Sequence, residues 1–255
     1  GGYIKRIKPE VYHVQKRGGK GIQGIATKEE DVVEHFLIAN SHADLLFFTS
    51  SGKVFEIKAY EIPEGSRTSK GKAIFNFLSI KQDERIMSLV AVPKTEKNAA
   101  NPAGRYLVMV TDRGMIKRVE ATVFENVRRS GIVAVTLKGG DALRGVAVTG
   151  GKDEILLVTA AGQAIRFRES DIRVMGRAAS GVKAMRLKKN DAVVGLNIIK
   201  QIGESQKTEL LVVFREGFGK KTQIKEYKKQ RRGGSGIKTA KITPKNGTVV
   251  STHII

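Results

Sequence analysis

The chain has 255 residues, contains no cysteine or tryptophan, and carries 46 lysine and arginine residues against 25 aspartate and glutamate residues. The formal charge of +21 and the isoelectric point near 10.2 are typical of proteins that bind polyanions, with nucleic acid as the leading partner class. The lack of cysteine excludes disulfides and thiolate metal sites.

The chain start and the composition add further expectations. Gly1 and Gly2 stand where a methionine would begin a complete protein, which indicates a piece of a longer chain. No apolar run reaches membrane-spanning length, and neither a signal peptide nor a convincing basic amphipathic helix is visible, so we expect no membrane partner and a cytoplasmic, nucleoid-associated location. Aromatic residues make up 6% of the chain, which leaves few base-stacking platforms and favours duplex over single-stranded partners.

The chain is organised as an internal repeat whose copies open with a predicted β-hairpin. Apolar first strands are predicted at 45–49, 106–111, 155–159 and 210–214. They run into glycine turns at Gly52, Gly114, Gly162 and Gly217. More alternating second strands are predicted at 54–58, 115–119, 164–168 and 222–226. Apolar strands joined by glycine turns to half-polar strands are typical of hairpins.

A basic loop rich in small residues follows the hairpin in every copy. The loops end at Gly21, Gly71, Gly131, Gly181 and Gly236. Short third strands are predicted directly after them, at 22–25, 73–77, 132–135, 182–185 and 237–240. A turn with a lysine three positions before an acidic residue comes next in four copies, as in Lys138 and Asp141, and an apolar fourth strand such as 87–92 closes the copy.

Residues 27–40 allow two interpretations. Thr27 and Glu30 resemble the capping box of a helix, and apolar residues follow them at helical spacing. The same register in other copies holds Gly145 and Gly195 among β-branched residues, which suits a strand better. Following the repeat, we predict a strand.

Aligned copies predict an all-β fold of four-stranded units in a single domain covering residues 1–255. Four full units are predicted at 45–92, 106–148, 154–199 and 210–255, and residues 3–38 form a fifth that lacks its opening strand. Consecutive units of this size are typical of propeller blades around a central axis, since radial repetition shields sheet edges and builds one core.

Radial repetition would place the basic loop of every copy at the same height on a rim. The residues predicted to bind DNA there are Gln15, Lys16, Arg17, Gly18, Gly19, Lys20, Gly21, Arg67, Lys70, Lys72, Arg128, Arg129, Arg177, Lys183, Lys228, Lys229, Arg231 and Arg232. One basic loop is usually a solvated turn, but its repetition predicts a curved belt for a polyanion that bends. Counterion release at about two phosphates per loop offsets the roughly 10 kcal/mol needed to bend duplex DNA around such a disc.

Residues 15–21 read Gln-Lys-Arg-Gly-Gly-Lys-Gly, which resembles the Gln-Arg-Arg-Gly-Gly-Lys-Gly box in the C-terminal domain of the DNA gyrase A subunit. The resemblance covers essentially the whole chain. It implies a β-pinwheel with strands exchanged between blades, which wraps duplex DNA for an ATP-driven type II topoisomerase that introduces negative supercoils. It also implies that the box holds the end of the wrap, and that the partners are the rest of the gyrase A subunit together with the B subunit. ATP and Mg²⁺ would be used by other parts of the enzyme, with no cofactor in this fragment.

The chain differs from that family in two places. The family often has a sixth blade, whereas five copies are visible here, so the disc would lack one. Residues 230–236 read Gln-Arg-Arg-Gly-Gly-Ser-Gly, a second near-box with Ser235 in place of lysine. We hypothesise that this near-box is an extra anchor for DNA, against the alternative of a coincidentally basic loop.

Other functions find less support in the sequence. The four histidines share no metal-ligand spacing and no nucleophile stands beside a base, so no catalytic residue or metal site is predicted for this fragment. The acidic residues of the repeated turns are explained more simply by turn chemistry. The remaining alternatives are a protein-interaction propeller, an RNA-binding surface and the C-terminal domain of the topoisomerase IV A subunit. The nearly intact box favours gyrase over topoisomerase IV.

Overall fold

The computed structural model describes residues 2–11, 32–66, 68–92, 104–200 and 208–255, and these residues fold into strands joined by turns. The strands are β1 (Tyr3–Ile4), β2 (Asp44–Thr49), β3 (Lys53–Lys58), β4 (Lys72–Ala73), β5 (Ile86–Val92), β6 (Tyr106–Thr111), β7 (Met115–Glu120), β8 (Ile132–Val133), β9 (Leu143–Thr149), β10 (Glu154–Thr159), β11 (Gln163–Arg168), β12 (Val182–Lys183), β13 (Val193–Ile199), β14 (Glu209–Phe214), β15 (Gly219–Gln223), β16 (Ile237–Lys238) and β17 (Val249–Ile254). Single 3₁₀ turns lie at Pro9–Val11, Ala59–Glu61, Ile74–Asn76, Ala121–Phe124, Glu169–Asp171 and Ile224–Glu226.

Copies 1 to 5, numbered in chain order, are the units predicted at 3–38, 45–92, 106–148, 154–199 and 210–255. Every four-stranded sheet takes its strands from two successive copies. The strand orders are β5-β2-β3-β8, β9-β6-β7-β12 and β13-β10-β11-β16. The outer strands β8, β12 and β16 each belong to the copy that follows, and they pair antiparallel with the second strand of the copy before. The exchange of strands between blades that the resemblance implied is therefore present.

The last copy forms a three-stranded sheet in the order β15-β14-β17. No described strand pairs with the outer edge of β15. At the other end of the chain, the two-residue strand β1 pairs with β4 of copy 2, which is the same exchange seen between later copies.

The first strands β2, β6 and β10 are buried on both faces, which explains their continuous apolar sequences, whereas β14 is fully buried only at alternate residues. In β2, Leu46 packs into a core shared with the sheet of copy 3, and Phe47 packs into a second core on the opposite face. In β6, Leu107 packs into the same core as Leu46, and Val108 packs into the next core, on the opposite face of the strand. The sheets therefore stack face to face, and each interface between copies is a hydrophobic core.

The apolar fourth strands lie on the inner side of this stack. β5, β9, β13 and β17 pack against one another in succession. Each of the first three is the strand at the opposite edge of its sheet from the short exchanged strand. The exchanged strands, and the loops that lead into them, consequently lie along the outer edge.

The third strands predicted in copies 2 to 5 were too long, and the one predicted at 22–25 lies outside the described residues. Ladder pairing covers Lys72–Ala73, Ile132–Val133, Val182–Lys183 and Ile237–Lys238, two residues in each copy. In copy 2 the remainder of the predicted strand is the 3₁₀ turn Ile74–Asn76. Pairing stops because the chain then turns beneath the preceding hairpin, where the Gly52 carbonyl accepts hydrogen bonds from the amides of Ala134 and Val135.

Two other strand predictions were wrong. The second strand of copy 5 is Gly219–Gln223 rather than 222–226, and the predicted end is the 3₁₀ turn Ile224–Glu226 that follows the second strand in every other described hairpin. Residues 32–40, the described part of the strand predicted in copy 1, form neither strand nor helix. Val32 and Phe36 there are 78% and 73% exposed, and Leu37 is the residue of this segment that packs against the core containing Leu45 and Phe47.

Within the described ranges, no helix is long and apolar enough to cross a membrane.

Candidate nucleic-acid interface

Four described loops on the outer edge carry most of the predicted DNA-binding cations. We define these rim loops as the segments from the 3₁₀ turn to the glycine before the exchanged strand, namely residues 62–71, 125–131, 172–181 and 227–236 in copies 2 to 5. The predicted box residues Gln15, Lys16, Arg17, Gly18, Gly19, Lys20 and Gly21 lie outside the described residues, as does Arg67 of the first rim loop.

Each rim loop is docked on the sheet of the preceding copy. Isolated parallel bridges join Arg118 to Val174 and Arg166 to Lys229, so the start of the rim loop runs beside the second strand of the copy before. At the end of the loop in copy 4, Gly181 has φ +86°, and a Cβ built there would lie 2.5 Å from the Ile116 carbonyl oxygen. Glycine is required at this position both by the positive φ and by the close approach of β7.

Several predicted cations point to solvent and have no partner among the described residues. The side chains of Arg128, Arg129, Lys183, Lys228 and Arg231 are on exposed residues and make no hydrogen bond or ion pair with another described residue. Charges of this kind remain available for phosphate oxygens.

Lys70 and Lys72 of copy 2 are also exposed. The Lys70 ammonium lies 4.0 Å from the centre of the Tyr3 ring, a cation–π contact that holds it against copy 1. Lys72 belongs to the exchanged strand β4 and pairs through its backbone with Ile4.

Three of the predicted cations are engaged by the protein itself. Arg177 Nη1 donates to the Val133 carbonyl oxygen at 2.5 Å. Arg232 donates to the carbonyl oxygens of Asp171 and Lys183, at 2.9 and 3.0 Å. These arginines stand four residues before the loop-ending glycine in their copies, so the contact repeats along the outer edge.

The third engaged cation, Lys229, pairs with a buried carboxylate. Its Nζ lies 2.5 Å from Glu154 Oε1, and the other oxygen of Glu154 accepts from the buried guanidinium of Arg166. Arg166 also donates to the carbonyl oxygens of Ile224 and Tyr227 in copy 5. This network ties the start of the rim loop in copy 5 to the sheet of copy 4.

The near-box in copy 5 is joined to copy 4 through its backbone. The Gly233 amide donates to the Ala184 carbonyl oxygen at 2.6 Å, and the Gly234 carbonyl accepts from the Arg186 amide at 2.8 Å. Within the near-box, Arg232 is held by carbonyl groups and Arg231 is exposed. The two adjacent arginines therefore have different environments.

Sequence reasoning missed a buried lysine beneath the rim loop of copy 4. Lys117 on β7 is 1% exposed, and burial together with the Arg177 guanidinium lowers its pKa to about 8. Its Nζ donates to carbonyl oxygens of that rim loop. The signal was present in the repeat, because Lys5 occupies the same register position two copies earlier.

Further exposed cations at the outer edge were not predicted from the sequence. Lys238 occupies in β16 the position that Lys183 holds in β12, and Arg173 lies in the rim loop of copy 4. Both are exposed. Matching β16 to β12 would have identified Lys238, since both strands have a half-buried first residue and an exposed second one.

The repeated acidic residues serve the turns, as predicted. Asp141 Oδ1 accepts from the amides of Arg113 and Ala142, and Asp191 Oδ1 accepts from those of Ala161 and Ala192. Within the residues that the structure describes, no group of three or more His, Cys, Asp or Glu side chains is placed to hold a metal ion.

Comparison with known proteins identifies the repeat. The family described as DNA gyrase C-terminal domain, beta-propeller, matches residues 1–40, 43–93, 105–149, 153–200 and 209–255. The chain belongs to the DNA gyrase C-terminal domain family. Its five matched segments contain the five copies recognised in the sequence. In this chain, the fold of the family includes the exchange of strands between successive copies.

Curated relatives of the chain are gyrase subunits from bacteria. The chain is 41% identical over 256 residues to the DNA gyrase A subunit of Mycolicibacterium smegmatis, covering all of the chain and 29% of the relative. It is 42% identical over 248 residues to the DNA gyrase A subunit of Staphylococcus epidermidis, covering 97% of the chain and 27% of the relative. The chain thus spans less than a third of the length of these relatives.

Two solved structures share the architecture. The C-terminal domain of DNA topoisomerase IV superposes with a TM-score of 0.79 at 28% identity, over all of the chain and 75% of that structure. A DNA gyrase A C-terminal domain superposes with a TM-score of 0.74 at 23% identity, over all of the chain and 80% of that structure. The second comparison supports the fold alone.

Proposed function

We propose that this gyrase-family domain, a single unit over residues 1–255, binds duplex DNA without sequence preference and wraps it along the rim loops. The observation that carries the proposal is the recurrence, in rim loops of different copies, of exposed cations that have no partner among the described residues, as in Arg128 of copy 3 and Arg231 of copy 5. A row of fixed charges on a curved surface matches a bent phosphate backbone. Nothing in the described structure presents a helix for reading bases in the major groove.

The proposed contacts include every residue predicted from the sequence, in two roles. Exposed cations such as Arg128 and Lys228 would meet phosphates directly. Arg177 and Arg232 would do so through guanidinium N–H groups that their carbonyl partners leave unused, since arginine has five such donors. The box residues 15–21 would hold the end of the wrap, and the near-box 230–236 would add a second anchor through Arg231.

Counterion release supplies the free energy for bending. Smooth bending of a duplex around a disc of this size costs on the order of 10 kcal/mol. About ten phosphate contacts give an expected slope of roughly −9 for log K against log salt concentration. Affinity should therefore fall steeply with salt and depend little on base sequence, with a preference for flexible steps.

The gyrase relatives support a proposal about the wider activity. We propose that the domain presents wrapped DNA to the remainder of the gyrase A subunit together with the B subunit, which use ATP and Mg²⁺ in parts outside this chain to introduce negative supercoils. The chain itself would carry no catalytic residue or cofactor, and would act in the bacterial cytoplasm at the nucleoid. Relatives at 41–42% identity are gyrase subunits, so topoisomerase IV is the less favoured assignment.

A topological assay tests the proposal. Nicked circular DNA is ligated with the purified 255-residue chain bound, and the linking-number change is read as salt is raised. We expect a positive, salt-sensitive shift that is lost when Arg17 and Lys20 are replaced by alanine. Lys152→Ala removes an exposed charge from the turn between β9 and β10, outside the rim loops as defined by residue range, and serves as a control that keeps the shift. Tight binding with no shift in any salt would contradict wrapping.

A further inference from the structure

Lys117 joins two copies through its ammonium group. It is 1% exposed on β7 of copy 3, and its Nζ donates to the Ala134 carbonyl oxygen of its own copy at 2.7 Å. From the rim loop of copy 4, the carbonyl oxygens of Gly176, Arg177 and Ala179 lie 3.2, 2.5 and 3.2 Å away. Four carbonyl groups thus converge on one positive charge.

The same arrangement recurs beneath the rim loop of copy 2. Lys5 Nζ donates to the carbonyl oxygens of Ser66 and Ser69, at 3.0 and 2.7 Å. Counted from the loop-ending glycines, Ser66 and Ser69 match Gly176 and Ala179 of copy 4. A lysine on the second strand therefore holds equivalent carbonyl groups of the following rim loop in two copies, so the contact is a recurring feature of the repeat.

In the remaining copies, the position equivalent to Lys117 does not hold a lysine that bonds to the following rim loop among the described residues. Phe55 and Ile165 occupy the position in copies 2 and 4, and both are fully buried apolar side chains. In copy 5 the position holds Lys220, which lies on β15 beside no described following loop. Lys220 Nζ donates to the Thr239 carbonyl oxygen of its own copy at 2.9 Å, the counterpart of the Lys117–Ala134 bond.

A protonated lysine suits a cluster of inward-facing carbonyl groups. An ammonium group has three donors and no acceptor, whereas buried carbonyl oxygens without donors are costly. Burial and the Arg177 guanidinium lower the pKa of Lys117 to about 8, so the group still carries its charge at neutral pH. The rim loop consequently keeps these carbonyl groups turned towards Lys117. The backbone of Arg177 is held there through its own carbonyl and through those of Gly176 and Ala179 on either side.

We propose that Lys117 is a positioning residue for DNA binding. It fixes the rim loop of copy 4 so that the guanidinium of Arg177 is placed to contact a DNA phosphate. Lys5 performs the same role for the rim loop of copy 2. This inference rests on the proposed function, since it assigns the lysines to the same DNA-binding rim. Neither residue touches DNA in this scheme.

A double-mutant cycle on the 255-residue chain tests the role. Affinity for a fluorescent duplex is measured at fixed salt for the wild type, Lys117→Met, Arg177→Ala and the double variant. We expect Lys117→Met to weaken binding about tenfold, on the scale of removing one or two phosphate contacts. We expect the substitution to have no further effect in the Arg177→Ala background, because it acts through that arginine. Lys152→Met, which removes the same charge from an exposed site, is the matched control.

Folding is monitored separately so that a structural loss is recognised. Circular dichroism should show an intact fold, since Phe55 and Ile165 demonstrate that apolar side chains are tolerated at this register position. If Lys117→Met does not fold, Lys5→Met provides the same test at a partly exposed site, with the same tenfold loss expected. In the wild type, a slowly exchanging ¹⁵N ammonium resonance from Lys117 should be visible.

The outcomes separate the two proposals. A wild-type chain that fails to bind duplex DNA contradicts the proposed function. A folded Lys117→Met or Lys5→Met variant that binds as tightly as the wild type overturns the positioning role alone. A Lys117→Met loss that is undiminished in the Arg177→Ala background also overturns it, because the lysine would then act independently of that arginine.

Discussion

Arg232 Nη1 donates a hydrogen bond to the carbonyl oxygen of Lys183 at 3.0 Å, which joins the rim loop of copy 5 to the exchanged strand of copy 4. Arg177 and Val133 repeat this contact one copy earlier. Cations on the outer edge therefore divide into those that bind the neighbouring copy and those that have no partner in the part of the chain that the structure describes. The two groups should respond differently to substitution.

Arg231 and Arg232 provide an adjacent pair for separating the two groups. Arg231→Ala should weaken DNA binding while changing the free energy of unfolding by less than about 0.5 kcal/mol, since the side chain is exposed and bonds to no other described residue. Arg232→Ala should lower the free energy of unfolding by roughly 1 kcal/mol, because two carbonyl groups lose a charged donor. Urea unfolding and a duplex-binding titration measure both quantities. Equal destabilisation by the two changes would contradict the distinction.

Glycines at the ends of rim loops should be intolerant of any side chain. Gly181→Ala combines a φ of +86° with a Cβ that would lie 2.5 Å from the Ile116 carbonyl oxygen, so we expect a loss of about 1–3 kcal/mol or more. Gly176, in the same loop, has nothing within 4 Å of its Cβ position. Gly176→Ala should be neutral or slightly stabilising. Thermal unfolding of both variants checks this, and matched melting temperatures would count against it.

Free cations should set the salt dependence. Arg128 and Arg129 are exposed and make no bond to another described residue, so changing either to alanine should reduce the slope of log K against log salt by about 0.9 for each phosphate it binds. The melting temperature should stay within error of the wild type. Binding isotherms at several salt concentrations give the slopes. An unchanged slope in the double variant would remove this loop from the interface.

Lys117 should make stability depend on pH in alkaline solution. Its pKa is lowered from 10.5 to about 8 by burial and by Arg177. Between these values the folded chain has released the proton that the unfolded chain still binds, so unfolding takes up a proton and the free energy of unfolding rises with pH. This contribution disappears as the pH falls through about 8. Urea unfolding of the wild type and Lys117→Met from neutral pH to about 10.5 should show the difference growing with pH. Parallel pH profiles would contradict it.

The hairpins could be predicted because the burial of their strands is reflected in an apolar sequence pattern. A first strand such as β2 packs into cores on both faces, and this produces an unbroken apolar run ending at Gly52. The exchanged strands could not be delimited, because two residues such as Ile132–Val133 contain no full period and their partner lies in another copy. Copy 1 was misassigned because its register suggested a strand, while Val32 and Phe36 remain exposed.

The positions of the rim cations could be inferred from repetition, but their environments could not. Arg128 and Arg177 look equivalent as basic residues in small-residue loops. They differ because Arg177 reaches the Val133 carbonyl, a contact across 44 residues of sequence that only the packing of successive copies creates. Lys117 was overlooked for a related reason: on a half-polar strand it reads as a solvent-facing residue, yet the following loop covers it.

The exchange of outer strands also determines which parts of the domain would bear a force exerted by bound DNA. A bent duplex tends to straighten, and in the proposed wrap it would pull outward on the rim loops. The rim loop of copy 4 is fastened to copy 3 through Lys117 and through the pairing of β12 with β7. Tension applied to one copy is therefore transmitted to the sheet of the copy before it, so that the joints between copies, rather than any single sheet, resist the recoil of the DNA.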